Sequence, residues 1–214
     1  MIIANTELAI VERLRQGLGK MVHSVESYGG EMDGEPAEII RQLPAAWVTF
    51  GGVQKTENTN LTKRKYTVHG RFVVIVGDRN LRNENAARLG GPGFDEVGTY
   101  RLVMAVRRLL SGQDMSLPIK HLIPGRVRTL FNTQVEAAAM SVFACEFDTA
   151  WIESALEEGK FPLVNAPADH PDNLFNGFDG VSSEPDAEWL RTHLNYDIPQ
   201  TAQKPDAVDI INHE

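Results

Sequence analysis

At 214 residues, with 42% apolar and 23% charged side chains, the chain has the makeup of a soluble globular protein with one good-sized core or two small ones. No window holds the eighteen unbroken apolar residues of a membrane-spanning helix, and the first residues lack the basic stretch and cleavage site of a secretory signal. A single cysteine, Cys145, excludes an internal disulfide framework, so synthesis and assembly in a reducing cytoplasm are expected.

The formal charge of −8 is unevenly placed. From Glu153 to Glu214 there are thirteen acids against three bases, a net of −10, and six of the eleven prolines. Residues Met1 to Ile152 hold sixteen acids and eighteen bases, a net of +2. Acidic, proline-interrupted sequence buries little apolar surface and stays extended or folds on a partner. Two regions are therefore expected, a core over 1–152 and an acidic, proline-containing extension over 153–214.

In chain order, Asn5 or Thr6 is placed to cap a helix through about Leu18, with Leu8, Val11, Leu14 and Leu18 on one face. Val22–Tyr28 reads as a short strand, and Pro36 opens a second helix that Pro44 ends. Ala46–Phe50 reads as a strand, followed by a polar connection from Gln54 to Thr62. Tyr66, Val68, Phe72 and Val74 then alternate with Thr67, His69 and Arg71 in the clearest strand, which runs apolar to Val76 and is expected at the centre of the sheet.

A polar, glycine-rich connection from Arg79 to Gly98, with one helical turn at Glu84–Arg88, leads into the strongest helix. There Val97, Tyr100, Val103, Val106, Leu109 and Leu110 form a stripe that Gly112 closes. Two late strands follow: Ile119–Phe131, broken at Pro124-Gly125, and Ala137–Phe147. This order predicts an α+β fold: a mainly antiparallel open sheet with helices packed on one face, plus an extended acidic C-terminal tail.

The residues that carry chemistry elsewhere lack the required spacing here. Gly90-Gly91-Pro92-Gly93 is followed by Gly98-Thr99-Tyr100, without the lysine of a phosphate loop. The six histidines are scattered, with no pair at ligand spacing, and Asp169-His170-Pro171-Asp172 reads as a hydrated turn. Cys145 sits in an apolar strand, where a thiol is inert filling. No catalytic residue, cofactor site or metal site is assigned, and a non-enzymatic role is expected. Lys63, Arg64 and Lys65, with Arg79 and Arg82, form the candidate contact set. Without interleaved aromatic residues they suit a charged protein–protein contact better than specific nucleic-acid binding.

Four stretches give the chain a family likeness: Ile10-Val11-Glu12-Arg13-Leu14, Val74-Ile75-Val76-Gly77-Asp78-Arg79-Asn80, Gly98-Thr99-Tyr100-Arg101-Leu102-Val103 and Val142-Phe143-Ala144-Cys145-Glu146-Phe147. In order and pattern they resemble the tail terminator, or tail completion, proteins of contractile-tailed, Mu-like phages and prophages. The resemblance implies a virion assembly protein that forms a ring, a hexamer, on the head-proximal end of the tail. It would stop elongation of tube and sheath and prepare head joining. Its implied partners are itself, the tail tube and sheath proteins, and a head–tail connector or neck protein, with DNA passing through the ring and no membrane involved. It implies assembly in the host cytoplasm, then a place in the virion tail or neck. The alternative within virion assembly is a neck or head-completion protein; alternatives of other classes are a small ligand-binding or hydrolase domain with a dispersed site and a nucleic-acid-binding regulator.

Overall fold

The computed structural model describes residues 1–30, 36–59, 64–80, 88, 98–135, 138–184, 191–196 and 207–212. The chain divides into two compact units, Met1–Ala155 and Leu156–Glu214.

The first unit is built on five strands: β1 (Ser24–Ser27), β2 (Ala45–Asn58), β3 (Lys65–Asn80), β4 (Ile123–Val135) and β5 (Ala138–Ser154). Their order across the sheet is β1-β2-β3-β5-β4, with β1 parallel to β2 and every other pair antiparallel. β3 lies at the centre, where its apolar run predicts it. It pairs with β5 without a register shift from Lys65 opposite Ser154 to Asn80 opposite Ala139.

Helices α1 (Ile2–Leu18) and α3 (Thr99–Leu110) cover one face. Ile10, Val11, Leu14 and Leu18 of α1 and Leu102, Val103, Val106 and Leu110 of α3 pack on Val48, Phe72, Val74, Val76, Cys145 and Phe147. Because side chains alternate across a strand, the intervening residues form a second layer on the other face. There α2 (Pro36–Gln42) packs Ile39 and Ile40, with Leu43, on Trp47, Ile75, Met140 and Val142. α2 covers only one end of that face.

Close packing fixes several glycines. A Cβ on Gly70 would lie 2.3 Å from the Trp151 ring, and one on Gly17 would lie 2.5 Å from Leu109 where α1 meets α3. Trp151 then completes a third cluster with Val68 and Ile119.

Several element boundaries differ from the sequence reading. α1 begins at Ile2 rather than at a cap on Asn5 or Thr6. Thr6 is buried inside the helix and its hydroxyl donates to the Ile2 carbonyl, while Ile2 and Ile3 pack against the third cluster, which holds the first turn in place. Leu8 points outward, 61% exposed, and Ile10 takes the buried position, since the helix phase is set by the larger apolar set Ile10, Val11, Leu14 and Leu18. The polar stretch from Gln54 is no connection as far as Asn58: β2 continues through it, paired with β3, because an edge strand needs no apolar side chains to satisfy its backbone on one side. Residues 119–122 precede β4 rather than opening it, and Pro124 and Gly125 lie within the strand at a bulge. β5 runs seven residues beyond Phe147.

The second unit is acidic and rich in turns. A 3-10 turn over Pro171–Phe175 places Asp172 to accept from the Leu163 amide at 2.9 Å. Asn173 and Asn176 both donate to the Ala166 carbonyl, at 3.1 and 2.8 Å. Leu163 and Ser183 form a parallel bridge, and β6 (Arg191–Tyr196) pairs with β7 (Ala207–Asn212) as a two-stranded antiparallel sheet. Side chains bonding to backbone organise this unit where apolar residues are scarce.

Candidate interaction surfaces

Beyond α2, the second face of the first unit's sheet carries charge, with no covering layer among the described residues. Arg71 on β3, Glu146 and Asp148 on β5 and Arg128 on β4 share that face by strand alternation. Arg71 donates to both Asp148 oxygens, at 2.7 and 3.1 Å. Its Nη1 also approaches Glu146 Oε2 at 2.7 Å, and Arg128 Nε lies 3.0 Å from Glu146 Oε1. The Glu146 side chain is 6% exposed, and the close approach of Nη1 leaves Oε2 without an aligned hydrogen bond. The bonds to Asp148 push the Arg71 guanidinium further toward its charged form. The result is an ion network tying three strands together.

Farther along the same face, Lys55 and His69 flank Glu57 and hold its carboxyl below the usual range, Lys55 contributing most. These groups are exposed.

Among the described residues the sheet has two open edges. β1 pairs with β2 only over Ala45–Val48, so among the described residues nothing pairs with the outer side of Thr49–Asn58. On the opposite side β4 is the last strand, and among the described residues no strand pairs with its outer edge from Ile123 to Val135, although the Arg107 guanidinium donates to the Gly125 carbonyl at 3.0 Å. Both edges expose apolar side chains: Val53 on β2, and Ile123, Val127 and Phe131 on β4.

The connection between β3 and α3 is anchored at its base. Asp78, buried near the end of β3, accepts from the amides of Arg79 and Gly98, each at 2.7 Å. One carboxylate thus fastens both ends of the segment and sits at the start of α3, where anions are favoured. Burial nonetheless raises its pKa, and the two amide bonds and nearby Arg79 and His23 offset only part of that.

No group of three or more His, Cys, Asp or Glu side chains is arranged to hold a metal ion among the described residues. His170 Nδ1 instead accepts from the Asp172 amide at 3.1 Å, which closes the Asp169–Asp172 turn. Cys145 is fully buried and its thiol is pushed up to about 12 by burial, the state of an inert core residue. The second unit has an open cleft of about 400 Å³ beside the exposed rings of Phe161, Phe175 and Phe178. No described helix is long and apolar enough to cross a membrane.

Residues 2–152 match the family model described as Bacteriophage Mu, Gp37. The chain belongs to that family. It is thus a phage Mu-like structural protein. No curated protein matches. Among solved structures, a chain from the virion of a native gene transfer agent (GTA) particle is similar at 14% identity and a TM-score of 0.37, covering 69% of this chain and 97% of its own.

In this Gp37-family chain, the basic residues singled out in the sequence are spread apart. Lys63 and Arg82 lie outside the described residues, as do the helical turn before Arg88 and the Gly90-Gly91-Pro92-Gly93 stretch. Arg64 precedes β3, where its carbonyl accepts from Ala155, and Lys65 opens the strand. Arg79 is at the far end of β3, fourteen residues on, roughly 45 Å away at the ordinary strand rise. Arg64 and Lys65 therefore do not form one patch with Arg79. The charged network and the open edge of β2 were missed. The first had a signal: Glu146 and Asp148 flank Phe147 two apart, as Arg71 falls between apolar positions, and in strands that spacing puts charges on one face.

Proposed function

We infer that this chain is a tail terminator: a ring-forming protein that caps the head-proximal end of the tail, stops addition of tube and sheath subunits and presents a surface for head joining. Membership of the Mu Gp37 family supports a structural role in the particle. The observation that carries the ring is the pair of open edges on opposite sides of one sheet. Two different edges on one chain suit a head-to-tail contact, and such contacts close into rings when the rotation per copy allows. A hexamer is the size implied by the resemblance. The acidic second unit, with its exposed rings, is available to the tube, the sheath or the connector.

Removing the gene tests this reading. Tails of uncontrolled length, or finished tails unable to join heads, are expected. Tails of normal length that join heads normally would contradict it. Mixing the purified protein separately with tube and connector distinguishes a tail cap from a neck protein, since a cap binds tube in the absence of connector.

A further inference from the structure

We propose that neighbouring copies join by pairing the open edge of β2, Thr49–Asn58, with the outer edge of β4, Ile123–Val135, in an antiparallel sheet continuous from copy to copy. This rests on the ring reading above and names its contact.

Strand direction supplies the first argument. β2, β3, β5 and β4 alternate in direction across the sheet, so β2 and β4 run oppositely. A second copy placed in the same orientation therefore meets β2 with a strand running antiparallel to it, the better-bonded arrangement. The same placement puts α1 and α3 of every copy on one side of the shared sheet.

Surface chemistry supplies the second. Pro124 and the two bulges of β4 discourage indiscriminate pairing, as edge strands require. Yet Ile123, Val127 and Phe131 remain 63%, 39% and 41% exposed along it, and Val53 is 49% exposed on the other edge. A strand built only to stay solvated carries charge at such positions. Residues 123–135 carry Arg126 and Arg128 and no acid, and Thr49–Asn58 carries one base and one acid, Lys55 and Glu57, which pair with each other. The two edges match in apolar content.

Stagger supplies the third. Through β3, Thr49–Asn58 lies level with residues 146–153 of β5, whereas Ile123–Val135 lies level with 138–148. Their centres are displaced by about six residues, roughly 20 Å along the strands. Each copy contributes four strands between the two contacts, about 19 Å of sheet width. A step of that size in that width inclines the strands by about 45° to the axis of a closed ring, close to the tilt ordinary for closed sheets. Stagger and width thus suit closure.

Cysteine pairs test the contact in assembled particles. Gln54, Thr56 or Asn58 is changed to cysteine together with Arg126 or Thr129, all exposed positions, and buried Cys145 is left in place. Under mild oxidation at least one pair is expected to convert most of the chain into a ladder of linked multimers, while each single variant gives no ladder. Particles that carry a ring of this chain, but yield no ladder with any of the six pairs, overturn the edge contact and leave the ring reading standing. Particles whose tail end carries no ring of this chain remove both.

Discussion

The two ends of the central sheet face opposite demands. At the α2 end, Trp47, Ile75 and Val142 are buried beneath α2 while Val48, Val74 and Val76 are buried beneath α1 and α3. At the other end, Val53–Asn58 and Lys65–Arg71 keep an apolar layer on one face only, and the opposite face carries Lys55, Glu57, His69 and Arg71. The same three strands thus change from a two-sided core to a one-sided arm along their length. The first end supplies stability, and the second leaves backbone and charge accessible to other molecules.

Substitutions sharpen this comparison, beginning with the largest effect. Phe72→Ala, at a fully buried ring, is expected to lower unfolding free energy by about 3–5 kcal/mol, with Val53→Ala on the arm near zero. Denaturant titration of both variants checks it, and similar losses would dissolve the distinction. Gly70→Ala comes next: the new methyl collides with the rigid Trp151 ring, and about 1–3 kcal/mol of overpacking is expected by the same measurement.

Arg71→Ala should cost about 1–3 kcal/mol, because it leaves Glu146 buried with Arg128 alone. A double-mutant cycle with Glu146→Gln reads the coupling, and additive losses would mean the network contributes nothing. Asp78 gives the smallest effect and a pH signature. Its folded pKa is raised, so its stabilising contribution is fully present below the ordinary value of 3.8 and is lost as pH climbs through the folded value. A carboxyl resonance titrating above 3.8, absent in Asp78→Asn, is the expected observation; a midpoint at or below 3.8 contradicts the burial argument.

The core was legible where one force dominated. Apolar alternation from Tyr66 to Val76 located β3 at the centre, and the stripe through Val103, Val106 and Leu110 located α3. Tyr100 belonged to that stripe by spacing but is 45% exposed, leaning edge-on to Phe143, because α3 ends its buried contact there with Thr99 and Leu102 instead. The arm was not legible, since Gln54–Asn58 form a strand through pairing with β3 rather than through their own hydrophobicity. Open edges were expected from the sequence, but which strands form them depends on strand order: β4 lies outside β5, and β1 is too short to cover β2. Glu146 shows the same limit. Its place beside Phe147 was visible, but its two arginine partners lie on different strands, 75 residues back and 18 back in sequence.

Whether this chain caps the tail as a ring is tested most directly by a reconstruction of the head–tail junction of assembled particles at a resolution that shows strands. A closed ring of this chain is expected at the head-proximal end of the tail, with β2 of each copy beside β4 of the next. A junction without such a ring, with this chain elsewhere in the particle, would contradict it.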